Sequence, residues 1–164
     1  MKNVICFVLT GGVFMLGLAS AQAQSVVTVH NLSSAAALAV ASAAYDSCQK
    51  TGHKVSVHVV GREGEVLVAL RGDGSAVHTF ENSFRKAYSA LTFGVPSGDL
   101  VQRLKDNPAF SVVHLKNIIV SQGGLPIKVD NELVGAIGVS GDSTGADDEN
   151  CASAGVHALQ SYKG

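Results

Sequence analysis

Tryptophan is absent from this chain of 164 residues, and only 5% of its residues are aromatic. A core built on large stacked rings is therefore excluded, and Ala, Val and Gly must supply most of the buried surface. Such small side chains pack well only where elements approach closely, and a core of this kind often continues across a subunit interface. We therefore expect a homo-oligomer.

The chain also lacks an excess of charge of either sign. The chain carries 12 Lys and Arg against 13 Asp and Glu, and no basic block occurs. This balance disfavours nucleic acid and anionic membrane surfaces as partners.

No apolar run reaches the roughly 20 residues that a membrane-spanning helix needs. The run from Val4 to Leu18 follows Lys2 and precedes the small-residue sequence Ala21-Gln22-Ala23. This is the three-part plan of a secretory signal, and no basic stop-transfer cluster follows it. We therefore expect a signal peptide at residues 1–23 and a single domain at residues 24–164. The location is then secreted or periplasmic, without membrane insertion after cleavage.

Sulfur is scarce beyond that segment. Both methionines, Met1 and Met15, lie in the predicted signal, and the cysteines that remain after it are Cys48 and Cys151. An even count in an exported chain permits a disulfide. Both positions also lie on the apolar sides of predicted helices, which fits two buried thiols. The two alternatives stay open at this point.

Apolar periodicity and turn residues predict alternating groups of helices and strands. The predicted helices cover about 34–50, 79–93, 97–104 and 147–162. The predicted strands cover 54–60, 65–71, 118–121, 126–129 and 133–140. Hairpins that join directly favour an antiparallel sheet with helices packed on it, which is an α+β sandwich.

Several segments carry recognisable motifs. They are Val57–Arg71 (VHVVGREGEVLVALR), 85–90 (RKAYSA), 123–127 (GGLPI) and 135–141 (GAIGVSG). Together they resemble the GlcG/HbpS-like haem-binding family, which includes the C-terminal domain of PduO-type proteins, over about residues 32–159. One departure is Gly61, where the family hairpin usually has Asp.

The resemblance implies a five-stranded antiparallel sheet flanked by helices, in an α/β/α sandwich. It also implies assembly into a homo-oligomer and haem as the cofactor. Some relatives bind a corrinoid, and slow haem degradation is described for others.

With haem as the expected ligand, His78 is the first candidate for the iron ligand and the only residue assigned to a metal. Methionine ligation is excluded after signal cleavage, which leaves histidine as the first choice of ligand, with tyrosine or cysteine behind it. His78 stands where the loop 71–75 enters a helix whose N-terminus offers amide donors to a propionate. An exposed helix-cap histidine is the alternative. The side chains expected around haem at His78 are Arg71, Thr79, Glu81 and Tyr88.

His53 and His30 are further candidates for binding haem. Each adjoins a predicted helix end or edge strand, where an oligomer could bring it to a shared haem site. A surface histidine at a turn is the alternative for both. The spacing of His78 and Glu81 would let both meet one metal on a helix, although no third ligand is visible in the sequence.

These observations predict an exported haem-binding protein that serves scavenging, storage or sensing. The alternative is an enzyme of the same fold that acts on a tetrapyrrole, by haem degradation, or on a small organic acid. No nucleophilic triad can be assembled from the sequence, so no catalytic residue is assigned.

Overall fold

A computed structural model describes residues 27–162. The predicted signal segment, 1–23, lies outside these residues. The helices are α1 (Ser34–Lys50), α2 (Val77–Phe93), α3 (Asp99–Asp106) and α4 (Ala146–Ser161), with a 3₁₀ turn at Ser111–His114. The strands are β1 (Ser56–Gly61), β2 (Val66–Arg71), β3 (Gly124–Val129) and β4 (Glu132–Ser140). No helix within the described range combines the length and apolar character required to cross a bilayer.

The four strands form one antiparallel sheet in the order β2-β1-β4-β3. Two hairpins, β1-β2 and β3-β4, are joined through the central pair β1 and β4. Asp130 and Asn131 make the second hairpin turn with φ values of 49° and 65°. Both residue types tolerate this left-handed region, which a tight hairpin requires.

Helices cover both faces of the sheet, as an α/β/α sandwich requires. Alternation along β1 sends Val57 and Val59 into the core shared with α1 and α4, whereas Val60 packs with α2. Small side chains let α1 and α4 approach closely. A Cβ at Gly155 of α4 would lie 2.6 Å from the carbonyl oxygen of Val40 in α1.

Both glycine motifs lie beneath α2. A Cβ on Gly124 would collide with the backbone of Lys86, and one on Gly138 would collide with the backbone of Ser83 and Ala87. These motifs therefore let a helix lie directly on the backbone of β3 and β4.

The prediction of five strands is wrong. The described residues contain a four-stranded sheet, and the segment 118–121 is extended but unpaired with any strand. Its backbone groups bond to α2 side chains instead. Arg85 Nη2 donates to the carbonyl of Ile118 at 2.7 Å, and the amide of Ile119 donates to Ser89 Oγ at 2.9 Å. The apolar residues of this segment correctly indicate that Ile118 is buried, and it is 2% exposed. They do not indicate which group its backbone bonds to, so the strand prediction failed.

Cys48 and Cys151 form a disulfide, which decides between the two alternatives left open by the sequence. The bond joins the last turn of α1 to the second turn of α4, with the Cα atoms 5.5 Å apart. It closes a loop that includes the entire sheet.

Candidate functional site

The structure brings part of the predicted His78 group together at one end of the sheet. Arg71 pairs with Ser56 across β1 and β2, and Thr79 Oγ1 lies 2.9 Å from Ser56 Oγ. His78 is the second residue of α2, directly before Thr79, and is exposed. The Arg71 guanidinium donates to the carbonyl of Ser75 at 3.2 Å, in the loop that leads into α2. Arg71 and Thr79 therefore lie at the same end of the sheet as the start of α2.

Thr79 points into the protein and away from any ligand at the surface. Its side chain is 2% exposed and donates to the carbonyl of Ala76 at 2.8 Å. Because its only proton is used there, its oxygen accepts from Ser56. The side chains beside His78 that could contact a flat apolar ligand are Val77, which is 81% exposed, and Phe80, which is 38% exposed.

Glu81 and Tyr88 do not complete a ligand shell with His78. Glu81 is exposed and lies 3.9 Å from Arg85 in an ion pair along α2. Tyr88 is ten residues further along the same helix, about 15 Å at the usual helical rise. It packs beside Gly64, at the opposite end of the sheet.

A groove lies at that opposite end, beside His30. It has a volume of about 480 Å³ and runs between the start of α1, the β3-β4 hairpin and the end of α4. Its apolar walls are Leu32, Ala36, Val129, Val134 and Leu159, and its polar lining is His30, Asn31, Ser33, Asp130, Glu132 and Tyr162.

The His30 imidazole is exposed at the rim of the groove and pairs with Glu132. Its Nδ1 lies 2.7 Å from Glu132 Oε2. The hydrogen bond to Glu132, followed by the charge of that carboxylate, raises the pKa of His30. The carboxylate thus orients the imidazole.

A second depression of about 400 Å³ continues this groove and shares Val129, Asp130 and Leu159 with it. Lys128 contributes a cation there. Ser33, the N-cap residue of α1, also lines the groove, and helix N-termini favour anionic groups. The continuous groove therefore has apolar walls together with the imidazole of His30 and the phenol of Tyr162. Lys128 and the start of α1 could bind the carboxylates of a ligand.

Sequence reasoning found His30 but missed Tyr162 and Lys128. Tyr162 lies directly after α4, and Lys128 lies on edge strand β3. Neither stands in a local motif. Only the pairing of β3 with β4 and the packing of α4 bring them toward His30.

The departure at Gly61 has a structural explanation. A Cβ at this position would collide with the Glu65 carboxylate and would lie 2.6 Å from Asn31 Oδ1. Asn31 in turn hydrogen-bonds to the Glu65 carboxylate and accepts from the amide of Arg62 at 2.9 Å. A carboxylate from Glu65 thus fills the space that a side chain on residue 61 would need.

His53 and His58 have other environments. His53 lies at the same end of the sheet as His78 and contacts Asp142. His58 lies beneath α2 on the face that its alternation with Val57 and Val59 predicts, and it is 3% exposed. Burial lowers the pKa of His58 to about 4.

Comparison with known proteins identifies the family to which this chain belongs. A family model described as haem degrading protein HbpS-like matches residues 32–157. The chain belongs to the HbpS-like family. This confirms the resemblance read from the hairpin and glycine motifs.

Among HbpS-like structures, a double mutant of Streptomyces reticuli HbpS is 33% identical to this chain. The match covers 84% of this chain and 93% of that one, with a TM-score of 0.78. The fold also matches Klebsiella pneumoniae protein ORFY at 24% identity, with 87% and 99% of the chains covered and a TM-score of 0.79. A PduOC complex with haem matches at 23% identity, with 78% and 94% covered and a TM-score of 0.72.

One curated relative is a 15.0 kDa Citrobacter freundii protein from the dhaT-dhaS intergenic region, described as uncharacterized. It is 28% identical over 92 residues, which are 54% of this chain. The chain spans 65% of the length of that relative.

Proposed function

We propose that this protein binds haem and serves haem scavenging, storage or sensing. Membership of a family described by haem degradation supports the ligand class. The related fold of PduOC, whose structure is of a haem complex, is consistent with it. A corrinoid is the competing tetrapyrrole ligand.

The His30 groove is the haem site that the geometry favours, and one observation carries this choice. The His30 imidazole lines a groove of about 480 Å³ that has apolar walls for a porphyrin. Haem iron accepts imidazole or phenolate ligands, so His30 and Tyr162 are both suitable. Lys128 and the start of α1 would meet the propionates.

His78 is the competing iron ligand. Its surroundings, Arg71, Val77 and Phe80, offer a cation and exposed apolar surface. It does not line the continuous groove beside His30. Haem bound at His78 would therefore be more exposed than haem in the groove, unless a second copy covered it.

Absorbance titration with haemin distinguishes the two sites. We expect His30→Ala to shift the ferric Soret band and to weaken binding about tenfold or more, because one coordinating contact and its packing are lost. His78→Ala, His53→Ala and the exposed His157→Ala are expected to behave like wild type. A shift confined to His78→Ala would move the site to the start of α2, and absence of haem binding by wild type would refute the function. The same titration with cobalamin tests the corrinoid alternative.

Haem degradation is the second candidate function, favoured by the family description. An enzyme would consume several equivalents of haem per chain in the presence of a reductant and oxygen, whereas a binding protein would reach a defined stoichiometry without turnover. Loss of the Soret band with product formation beyond one equivalent would identify the enzyme.

We propose that the protein is exported and loses residues 1–23. The signal-like sequence supports this, and the Cys48–Cys151 disulfide is of the kind that persists in oxidising compartments. Intact-mass measurement of protein recovered outside the cytoplasm is expected to show a chain that begins at Gln24. A retained Met1 would contradict export by this route.

A further inference from the structure

Three side chains from two loops and a helix start form a mixed group of metal-ligand types at the end of the sheet opposite the His30 groove. His53 follows α1, Asp142 follows β4, and Asp147 lies in the first turn of α4. One ligand atom from each lies within 4.8 Å of the other two. Among residues 27–162, this is the one group of three or more His, Cys, Asp or Glu with such geometry.

We propose that His53, Asp142 and Asp147 bind one divalent metal ion of the zinc class, and zinc is the ion used to test the site. Zinc bonds to imidazole nitrogen and carboxylate oxygen are about 2.0–2.2 Å long, so two ligand atoms at the tetrahedral angle around one ion lie roughly 3.4 Å apart. The ligand atoms lie within 4.8 Å of one another, so binding requires side-chain rotations that bring the more distant pairs closer by up to roughly 1.4 Å. An imidazole with two carboxylates suits zinc, ferrous or manganous ions better than calcium or magnesium.

The Cys48–Cys151 disulfide holds two of the three ligand-bearing segments together. His53 lies five residues after Cys48, and Asp147 lies four residues before Cys151. The disulfide between those cysteines therefore fixes the end of α1 against the start of α4. The His53 amide also donates to the carbonyl of Cys48 at 3.0 Å.

Hydrogen bonds orient the Asp142 carboxylate toward His53. Its Oδ1 accepts from the amide of Thr144 at 3.1 Å, and its Oδ2 contacts His53 Nδ1. The amide of Asp142 is held by buried Asp148 at 3.0 Å.

A hollow of about 220 Å³ adjoins the group on one side. Of the three proposed ligands only His53 lines it, together with Tyr45, Gln49, Lys54 and Asp73.

Calorimetric titration of metal-free, haem-free mature protein with Zn²⁺ tests the site. We expect one ion per chain, an affinity reduced at least tenfold by Asp147→Asn, and binding abolished by His53→Gln. Asp99→Asn is the matched control, since Asp99 is the exposed first-turn carboxylate of α3. His30→Gln and His157→Gln are the imidazole controls. All five substituted positions are half-buried or exposed, and thermal unfolding of each variant confirms that it is folded.

Substituting Co²⁺ gives a second measurement. A bound ion with nitrogen and oxygen ligands is expected to show visible absorption that disappears in His53→Gln. Wild-type affinity retained by both Asp147→Asn and His53→Gln would overturn the proposal, as would no stoichiometric binding by wild type. Loss of binding only in His30→Gln would overturn it too. Because haem is absent throughout, the result is independent of the haem-binding proposal.

Discussion

His58 has a defined tautomer because of its single hydrogen-bond partner. Ser83 Oγ donates its only proton to the carbonyl of Phe80 at 2.9 Å. The same oxygen lies 2.8 Å from His58 Nδ1, so it must accept a hydrogen bond from that nitrogen, which carries the ring proton. The ring also makes edge contacts with Phe80 and Phe84, at centroid distances of 4.6 and 5.8 Å. His58 is therefore a neutral donor within an apolar layer.

This environment predicts a loss of stability in mild acid. The pKa of His58 is about 4 in the folded protein, against 6.5 when unperturbed. Between these values the unfolded chain binds a proton that the folded chain does not, so the free energy of unfolding falls as pH decreases. The loss reaches at most roughly 3 kcal/mol by pH 4, since each pKa unit corresponds to about 1.4 kcal/mol.

Denaturant unfolding of wild type and His58→Gln between pH 7.5 and 4 measures this contribution. The variant is expected to be less stable at pH 7.5 but to lose less stability on acidification. His157→Ala, at an exposed position of α4, should keep the wild-type slope. Equal slopes in wild type and His58→Gln would show that His58 does not titrate in this way.

A buried ion pair connects α2 on one face of the sheet to α4 on the other. Lys86 Nζ lies 2.7 Å from Asp148 Oδ2 and donates to the carbonyl of Val139 at 3.1 Å. Both side chains are at least 95% buried. Gly123, with φ of 122°, makes room for it, because a Cβ there would lie 2.9 Å from Lys86 Nζ. The pair thus depends on the glycine motif that helped to identify the family.

Removing one partner leaves the other charge buried, so each single substitution should be costly. We expect Lys86→Met and Asp148→Asn each to lower the free energy of unfolding by about 3–5 kcal/mol. The double variant should cost clearly less than the sum, because neither charge is then left buried without its partner. The exposed Glu81–Arg85 pair is the control, with an expected coupling below about 1 kcal/mol. Additive effects at Lys86 and Asp148 would contradict this role.

The helices and hairpins were predictable from sequence to within a few residues because their signals are local. Apolar periodicity and the turn residues at 61–64 and 130–132 placed all eight main elements of the described residues within two residues of their observed bounds. The fifth strand failed because Ile118 and Ile119 satisfy their backbone through Arg85 and Ser89, which are about 30 residues away. No local sequence pattern predicts such hydrogen-bond partners.

The candidate site was predictable only in part. His30 was identified as a candidate because it adjoins the start of α1, and the family motifs pointed to haem. The groove itself depends on contacts between the two ends of the chain, from His30 to Tyr162. The sequence could not show that the hydroxyl of Thr79, predicted as a ligand contact, lies inward, toward Ser56.

In the molecule as a whole, a single copy leaves the strand β2 poorly covered. This strand lies at the edge of the sheet, and its side toward α2 carries exposed apolar residues. Val66 is 48% exposed there, and Ala69 is exposed too. An edge strand with apolar exposed side chains is suited to pairing with another chain. A second copy of this protein is the partner that we expect.

Light scattering of the mature protein at micromolar concentration tests this assembly. We expect a mass of at least two chains, with or without haem, and a shift toward one chain in Val66→Glu, because a buried carboxylate would oppose association. Leu115→Glu is the control, since Leu115 is 56% exposed but lies in the loop after the 3₁₀ turn, outside the sheet. A single-chain mass for wild type would contradict assembly. An oligomer unaffected by Val66→Glu would instead show that the copies meet through a surface other than β2.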